Sequence, residues 1–267
     1  MNPELVSKSQ SLKYGRRVFR FKKADGFYYL KCQSDVGHEQ FKQGFKREYS
    51  FYIQHPMSLF LLPFEEANFI TLDAFGLSEN NIGFILPEAK SFFLNRSPSE
   101  FNIHEIVEQV LKLCEPLENL HQAGYIHGDI KKEHFVEYAE RFCLLDFEHT
   151  VLASSENISN LNATPRYMAP ELFHGQNKTV QTDLYALGIV LYEWLAQQRL
   201  NVYSYEEWAK LHCQQYFAQL PKVYCGLQFI IDGLLEKQKL NRFQTMSALK
   251  DSIYFKFMQV GHAKLMF

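Results

Sequence analysis

His127-Gly128-Asp129-Ile130-Lys131-Lys132-Glu133-His134-Phe135 is the stretch from which the rest of this 267-residue chain can be read. It sets Asp129 and Lys131 two residues apart, and two further motifs follow it in order. Leu145-Asp146-Phe147-Glu148 begins eleven residues past His134, and Ala163-Thr164-Pro165-Arg166-Tyr167-Met168-Ala169-Pro170-Glu171 comes after that. As isolated dipeptides such motifs carry no weight, because surface turns and buried pairs produce them freely; their order and spacing carry the signal. Upstream, Ile106, Val110, Leu113, Leu117 and Leu120 recur with helical spacing, and Gly124 is a natural C-terminal stop immediately before the charged stretch.

Working outward, the N-terminal part reads as strands. Arg17 to Phe21 and Phe27 to Cys32 are aromatic and β-branched, with an Asp-Gly hairpin signal in Ala24-Asp25-Gly26. Phe41 to Gln54 places Phe41, Phe45, Tyr49 and Tyr52 at helical spacing, and Phe69 to Phe75 and Asn81 to Leu86 read as two more strands. Beyond Pro87-Glu88-Ala89 the signals are helical: Leu184 to Leu195, a Ser204-x-x-Glu207 capping box, Phe229 to Leu235, and Met246 to Phe257. Strands first and helices after predict an α+β chain of two lobes.

Composition narrows the function classes. With 46% hydrophobic residues the chain can bury a large core, and a net charge of -2 argues against nucleic acid as an obligate partner. The basic residues Lys13, Arg16, Arg17, Arg20, Lys22 and Lys23 read as a solvated strand face. No apolar run reaches membrane-spanning or signal-peptide type, and five widely spaced cysteines without a CxxC pair suit a reducing compartment. A soluble, cytoplasmic protein is expected.

In the three ordered motifs the chain resembles the eukaryotic-like Ser/Thr protein kinases of bacteria. The resemblance covers about Val18 to Phe257. It implies a two-lobed fold with a small antiparallel N-lobe carrying one helix (about 1–87) and a larger helical C-lobe (about 90–267), together one kinase domain. It also implies phosphoryl transfer from ATP to Ser or Thr hydroxyls of a protein substrate. Asp129 would be the catalytic base, Lys131 would reach the transferred phosphoryl group, and Thr164 would bridge the two. Asp146 would hold magnesium. Lys31, in Tyr28-Tyr29-Leu30-Lys31, would bind the α- and β-phosphates, with Glu48 as its carboxylate partner and Glu39 as the alternative. Glu88 and Ala89 would line the nucleotide at the interlobe connection. Glu171 and Arg242 should pair, and Asp183 should brace the backbone of the 127–135 loop.

Four departures qualify that implication. His134 stands where an asparagine metal ligand is expected, and imidazole suits manganese or zinc better than magnesium, so the second metal site would be weakened or retuned, with Mn2+ as an alternative to Mg2+. Lipopolysaccharide-core sugar kinases resemble the chain in having histidine there. Glu148 replaces glycine beside Asp146; it would join a metal or, by preference, face solvent or serve structure. Gly128 replaces the arginine that reads a phosphate on the activation segment, so control by that route is not expected, although Thr150, Ser154, Ser155 and Ser159 leave autophosphorylation open. The glycine-rich phosphate loop is reduced to Leu12-Lys13-Tyr14-Gly15-Arg16-Arg17, where Lys13, Arg16 or Arg17 could substitute side-chain charge, although solvated strand-edge cations are the preferred reading.

Tyr29 shares Lys31's face of its strand and would stack on adenine, as in aminoglycoside phosphotransferases, whose N-terminal lobe Val18 through Lys31 also resembles. Two alternatives therefore accompany the protein-kinase reading: a pseudokinase acting as a binding or scaffolding module, and a kinase for small-molecule or sugar hydroxyls.

Overall fold

The computed structural model describes residues 3–34, 38–78, 80–155, 163–215 and 218–263. The strands are β1 (Glu4–Leu5), β2 (Arg16–Lys23), β3 (Gly26–Gln33), β4 (Glu65–Glu66), β5 (Ile82–Pro87), β6 (Lys90–Ser91), β7 (Tyr125–Ile126), β8 (Phe135–Tyr138), β9 (Arg141–Leu144) and β10 (Val151–Leu152). The helices are α1 (Ser9–Lys13), α2 (Glu39–Gln54), α3 (Phe69–Asp73), α4 (Phe92–Asn95), α5 (Ile103–Gln122), α6 (Pro170–Phe173), α7 (Val180–Ala196), α8 (Tyr205–Gln214), α9 (Gln228–Leu234) and α10 (Met246–Ala263). The chain folds as two compact units: residues 1–90 with 136–148, and residues 91–135 with 149–267. Strands dominate the first and helices the second, so the α+β class holds.

In the first unit, five strands pair in the order β1-β2-β3-β5-β4. The β2–β3 hairpin sets Val18 opposite Lys31, and β3 in turn sets Lys31 opposite Phe84 of β5. One face buries Phe21, Leu30, Phe75 and Ile85. Helix α2 buries Phe45 and Tyr52, with Phe45 stacked on Phe84 at 5.6 Å. Each such side chain contributes roughly 1.5–3 kcal/mol through removal from water.

Phe69 to Phe75, which reads as a strand, opens instead as helix α3. Asn68 caps it by accepting from the Thr71 N–H at 2.9 Å, and that cap outweighs the aromatic and β-branched content. With α1 also present, the N-terminal unit holds more than the one helix expected.

Residues 136–148 join this unit across a long stretch of chain, a return that a contiguous division near 87–90 does not contain. Leu144 donates its N–H to Phe60 O at 2.8 Å, and Phe147 is fully buried with its ring stacked on Phe51 at 4.7 Å. Apolar burial therefore anchors this segment to α2.

In the second unit, α7 is buried along nearly its whole length, which explains why it is apolar all round. Gly188 lets α9 approach: a Cβ there would lie 2.7 Å from Leu235 and 2.8 Å from Leu234. The α5 stripe Ile106, Val110, Leu113, Leu117 and Leu120 is buried as its spacing predicts, and Gly124 follows with φ +84°. Glu171 and Arg242 form the expected pair, with guanidinium nitrogens 2.8 and 3.0 Å from the two carboxylate oxygens and Arg242 almost wholly enclosed. The Ser204–Glu207 capping box is present.

Candidate active site

Within the helical unit, the loop after β7 is held by Asp183 near the start of α7. Its buried carboxylate accepts the backbone N–H groups of His127 at 2.8 Å and Gly128 at 2.9 Å, and lies 3.0 Å from His121 Nε2. Burial opposes that charge most strongly, yet His121, His127 and the Gly128 amide outweigh it and hold the carboxyl below its usual range. Gly128 takes φ +75°, and a Cβ there would meet Lys178 Cδ at 2.7 Å and His149 O at 2.8 Å. Glycine is required both by backbone conformation and by space, a packing reason for the missing arginine.

Asp129 lies 7% exposed at the centre of a small polar group. Lys131 Nζ donates to Oδ2 at 2.9 Å, while Thr164 donates to Oδ1 through its hydroxyl at 2.8 Å and its N–H at 3.1 Å. Burial pushes the carboxyl up, but Lys131, His134 and the Thr164 hydrogen bond together hold it below the usual carboxylate range. His134 is buried in the short turn that follows, its ring 5.5 Å from that of His127, with a ring nitrogen within 4.8 Å of an Asp129 carboxylate oxygen. Of the hydroxyls on the following segment, Thr150 Oγ1 lies 3.5 Å from His127 O, Ser154 is exposed, and Ser159 lies outside the described residues.

The sheet unit assembles a second group. Lys31 Nζ donates to both oxygens of Glu48, at 2.8 and 2.6 Å, and lies 3.9 Å from Asp146 Oδ1 and 3.6 Å from Glu148 Oε1. Glu48, not Glu39, meets the lysine; Glu39 accepts instead from Gln43 on its own helix. Burial raises the Glu48 carboxyl to about 7, against the pull of Lys31. Burial also disfavours the Lys31 charge, but Glu48, Asp146 and Glu148 outweigh it and hold the ammonium above its usual range. Asp146 takes φ +67°, in the left-handed region that a non-glycine residue enters only when its surroundings hold it there.

One preference from the sequence is corrected here and another is narrowed. Arg16 is not a solvated strand-edge cation: its side chain is 11% exposed, bonded to Glu148 Oε1, 4.0 Å from Glu48 Oε2, and stacked 4.6 Å over the Phe45 ring. For Glu148, of the solvent and structural roles preferred together, the structure shows the structural one: its carboxylate meets Arg16 and its carbonyl accepts from Arg47 Nε at 3.1 Å. The missed signal was strand parity. Arg16 lies two residues before Val18, the cross-strand partner of Lys31, and so shares the lysine's face.

Tyr29 donates its hydroxyl to Glu88 at 3.0 Å, and Arg20 clamps the same carboxylate at 2.7 and 3.1 Å, holding it below its usual range. The Glu88 N–H donates to Phe27 O at 2.8 Å, and Ala89 is partly exposed beside it.

A sheet that presents a buried lysine–glutamate pair, and a helical unit that grips an aspartate loop through its backbone, are the two halves of the kinase fold. The profile of the protein kinase domain matches residues 64–255, and the chain belongs to that family. Among its relatives, "Probable serine/threonine-protein kinase PknB" of Lactococcus lactis is 31% identical over 98 residues, 35% of this chain and 16% of that protein. Serine/threonine-protein kinase PknE of Mycobacterium tuberculosis is 37% identical over 90 residues, 32% of this chain and 16% of PknE. Serine/threonine-protein kinase PknD of Protochlamydia amoebophila is 26% identical over 181 residues, 55% of this chain and 18% of PknD. The chain thus spans less than a fifth of the length of these three relatives.

Proposed function

We propose that this chain, as a single kinase domain over residues 1–267, transfers the γ-phosphoryl group of ATP to Ser or Thr hydroxyls of a protein substrate. The observation that carries this reading is Asp129 held between the Lys131 ammonium and the Thr164 hydroxyl, ionised and oriented. Such a carboxylate accepts the proton of an acceptor hydroxyl as its oxygen bonds to the γ-phosphorus and the bond to the ADP oxygen breaks. Lys131 neutralises the transferred group, and Thr164 shapes the site for Ser or Thr. Lys31, fixed by Glu48, binds the α- and β-phosphates, and Tyr29 stacks on adenine with Glu88 and Ala89 beside it.

Protein kinases use ATP with a divalent metal, typically Mg2+. The donors fit that group: the Asp146 carboxylate lies 3.9 Å from Lys31, the lysine that would bind the phosphates, and the buried His134 has a ring nitrogen within 4.8 Å of an Asp129 oxygen. Asp146 and His134 would hold the metal, which when bound neutralises phosphate charge; the imidazole favours Mn2+ beside Mg2+. Among the described residues no helix is long and apolar enough to cross a membrane, in keeping with action in the cytoplasm.

The test is incubation of purified protein with labelled ATP, Mg2+ or Mn2+ and a protein acceptor, beside Asp129→Ala. Label on Ser or Thr that disappears in the variant is expected. Absence of label, label that persists in the variant, or label confined to added sugars overturns the reading.

A further inference from the structure

Arg16 and Glu148 carry long charged side chains at positions where glycine is expected from the family resemblance. The first stands where a glycine loop would cover phosphate, the second where a glycine would let the chain swing. Their side chains bond to one another beside Lys31, 11% and 17% exposed. Gln33 Oε1 accepts from Arg16 Nε at 3.1 Å, and the Phe45 ring lies under the guanidinium, so the cation is held from two further sides. Glu148 is equally confined. Arg47 Nε takes its carbonyl, and Gly44 of α2 leaves room for its carboxylate, since a Cβ there would lie 3.1 Å from Oε2. Lys31 Nζ is only 3.6 Å from Glu148 Oε1, so a Glu148 without its arginine would compete with Glu48 and with nucleotide phosphate for the lysine.

We propose that Arg16 and Glu148 are a matched positioning pair: the arginine holds the Glu148 carboxylate at ion-pair rather than hydrogen-bond distance from Lys31, and the glutamate ties the Asp146 turn to α2. The turn needs such a tie, because Asp146 holds a left-handed backbone immediately before it. The phosphate-binding lysine is thereby kept assembled without a phosphate-reading switch. This deepens the proposed kinase function and rests on it for its activity readout.

The test compares Arg16→Ala, Glu148→Gln and the double variant by two measurements. One is the split of kcat and KM for ATP; the other is the rate at which an amine-acylating reagent modifies Lys31 in the nucleotide-free protein, read by mass spectrometry. Arg16→Ala should raise KM for ATP about tenfold with kcat changed less than about threefold, and slow Lys31 acylation about threefold. Adding Glu148→Gln should return both to within about twofold of the parent, because the freed carboxylate is the cause of the loss. A double variant no better than Arg16→Ala, or an Arg16→Ala protein like the parent, overturns the pairing. If Arg16→Ala does not fold while the double variant does, the freed charge is again the cause and the pairing stands; if neither folds, the role is structural and the proposal fails. A parent without phosphotransfer defeats the proposed function alone, since Lys31 acylation still decides for or against the pair.

Discussion

Lys31 Nζ meets both carboxylate oxygens of Glu48, at 2.8 and 2.6 Å, with the glutamate side chain only 2% exposed. Removing either partner leaves the other with only longer ion pairs, Lys31 to Asp146 and Glu148 or Glu48 to Arg16, and without its hydrogen bonds. Lys31→Met and Glu48→Gln should each lower kcat/KM for ATP by about a hundredfold, read by steady-state kinetics. Because burial raises Glu48 to about 7, kcat/KM for ATP should also fall as pH is lowered through about 7, where the carboxylate takes a proton and ceases to hold the ammonium.

Asp129 titrates in the opposite direction. Held below the usual carboxylate range, it remains ionised throughout the neutral and mildly acidic region and imposes no acid limb there. Asp129→Asn keeps the shape and removes the proposed proton acceptor. It should lower kcat by about 10²–10⁴ with little change in KM for ATP, as measured by single-turnover and steady-state assays together.

In the proposed metal site His134 would offer nitrogen where Mg2+ prefers oxygen. His134→Asn should raise activity in Mg2+ relative to Mn2+, and titration of each metal against initial rate reads the ratio. An unchanged ratio removes His134 from the ligand set.

His212 gives a prediction about stability. Buried against the Trp208 and Phe173 rings, with Nδ1 3.0 Å from the Tyr185 hydroxyl, it is pushed down to about 3, chiefly by burial. The unfolded chain binds this proton near the ordinary value of 6.5, whereas the folded protein resists it until about 3. Stability from the neutral imidazole is therefore complete above about pH 6.5 and is lost as pH falls toward 3, by roughly 5 kcal/mol. Urea unfolding between pH 7 and 4 should show a shallower pH slope for His212→Gln than for the parent.

Much of this architecture is legible one segment at a time. The α5 stripe, the Gly124 stop, the Ser204–Glu207 box and the β2–β3 hairpin are local patterns, and each appears where its period or cap predicts. The Phe69 to Phe75 segment misleads because its composition favours a strand while one side chain, Asn68, starts a helix. Arg16 and Glu148 mislead for another reason. They are 132 residues apart, and neither carries a pattern that names the other.

By itself, the order of Asp129, Lys131, Asp146, Thr164 and the Ala169-Pro170-Glu171 motif determined the family and the chemistry to be sought, because chance turns and buried pairs do not reproduce that order and spacing. Only the tertiary structure decided which carboxylate meets Lys31, why residue 128 is glycine, and that Arg16 is spent on Glu148 rather than on solvent. The physical reason is that charge pairing and excluded volume act across space. A buried cation takes the nearest available carboxylate, and which one is nearest is settled when strands and helices pack.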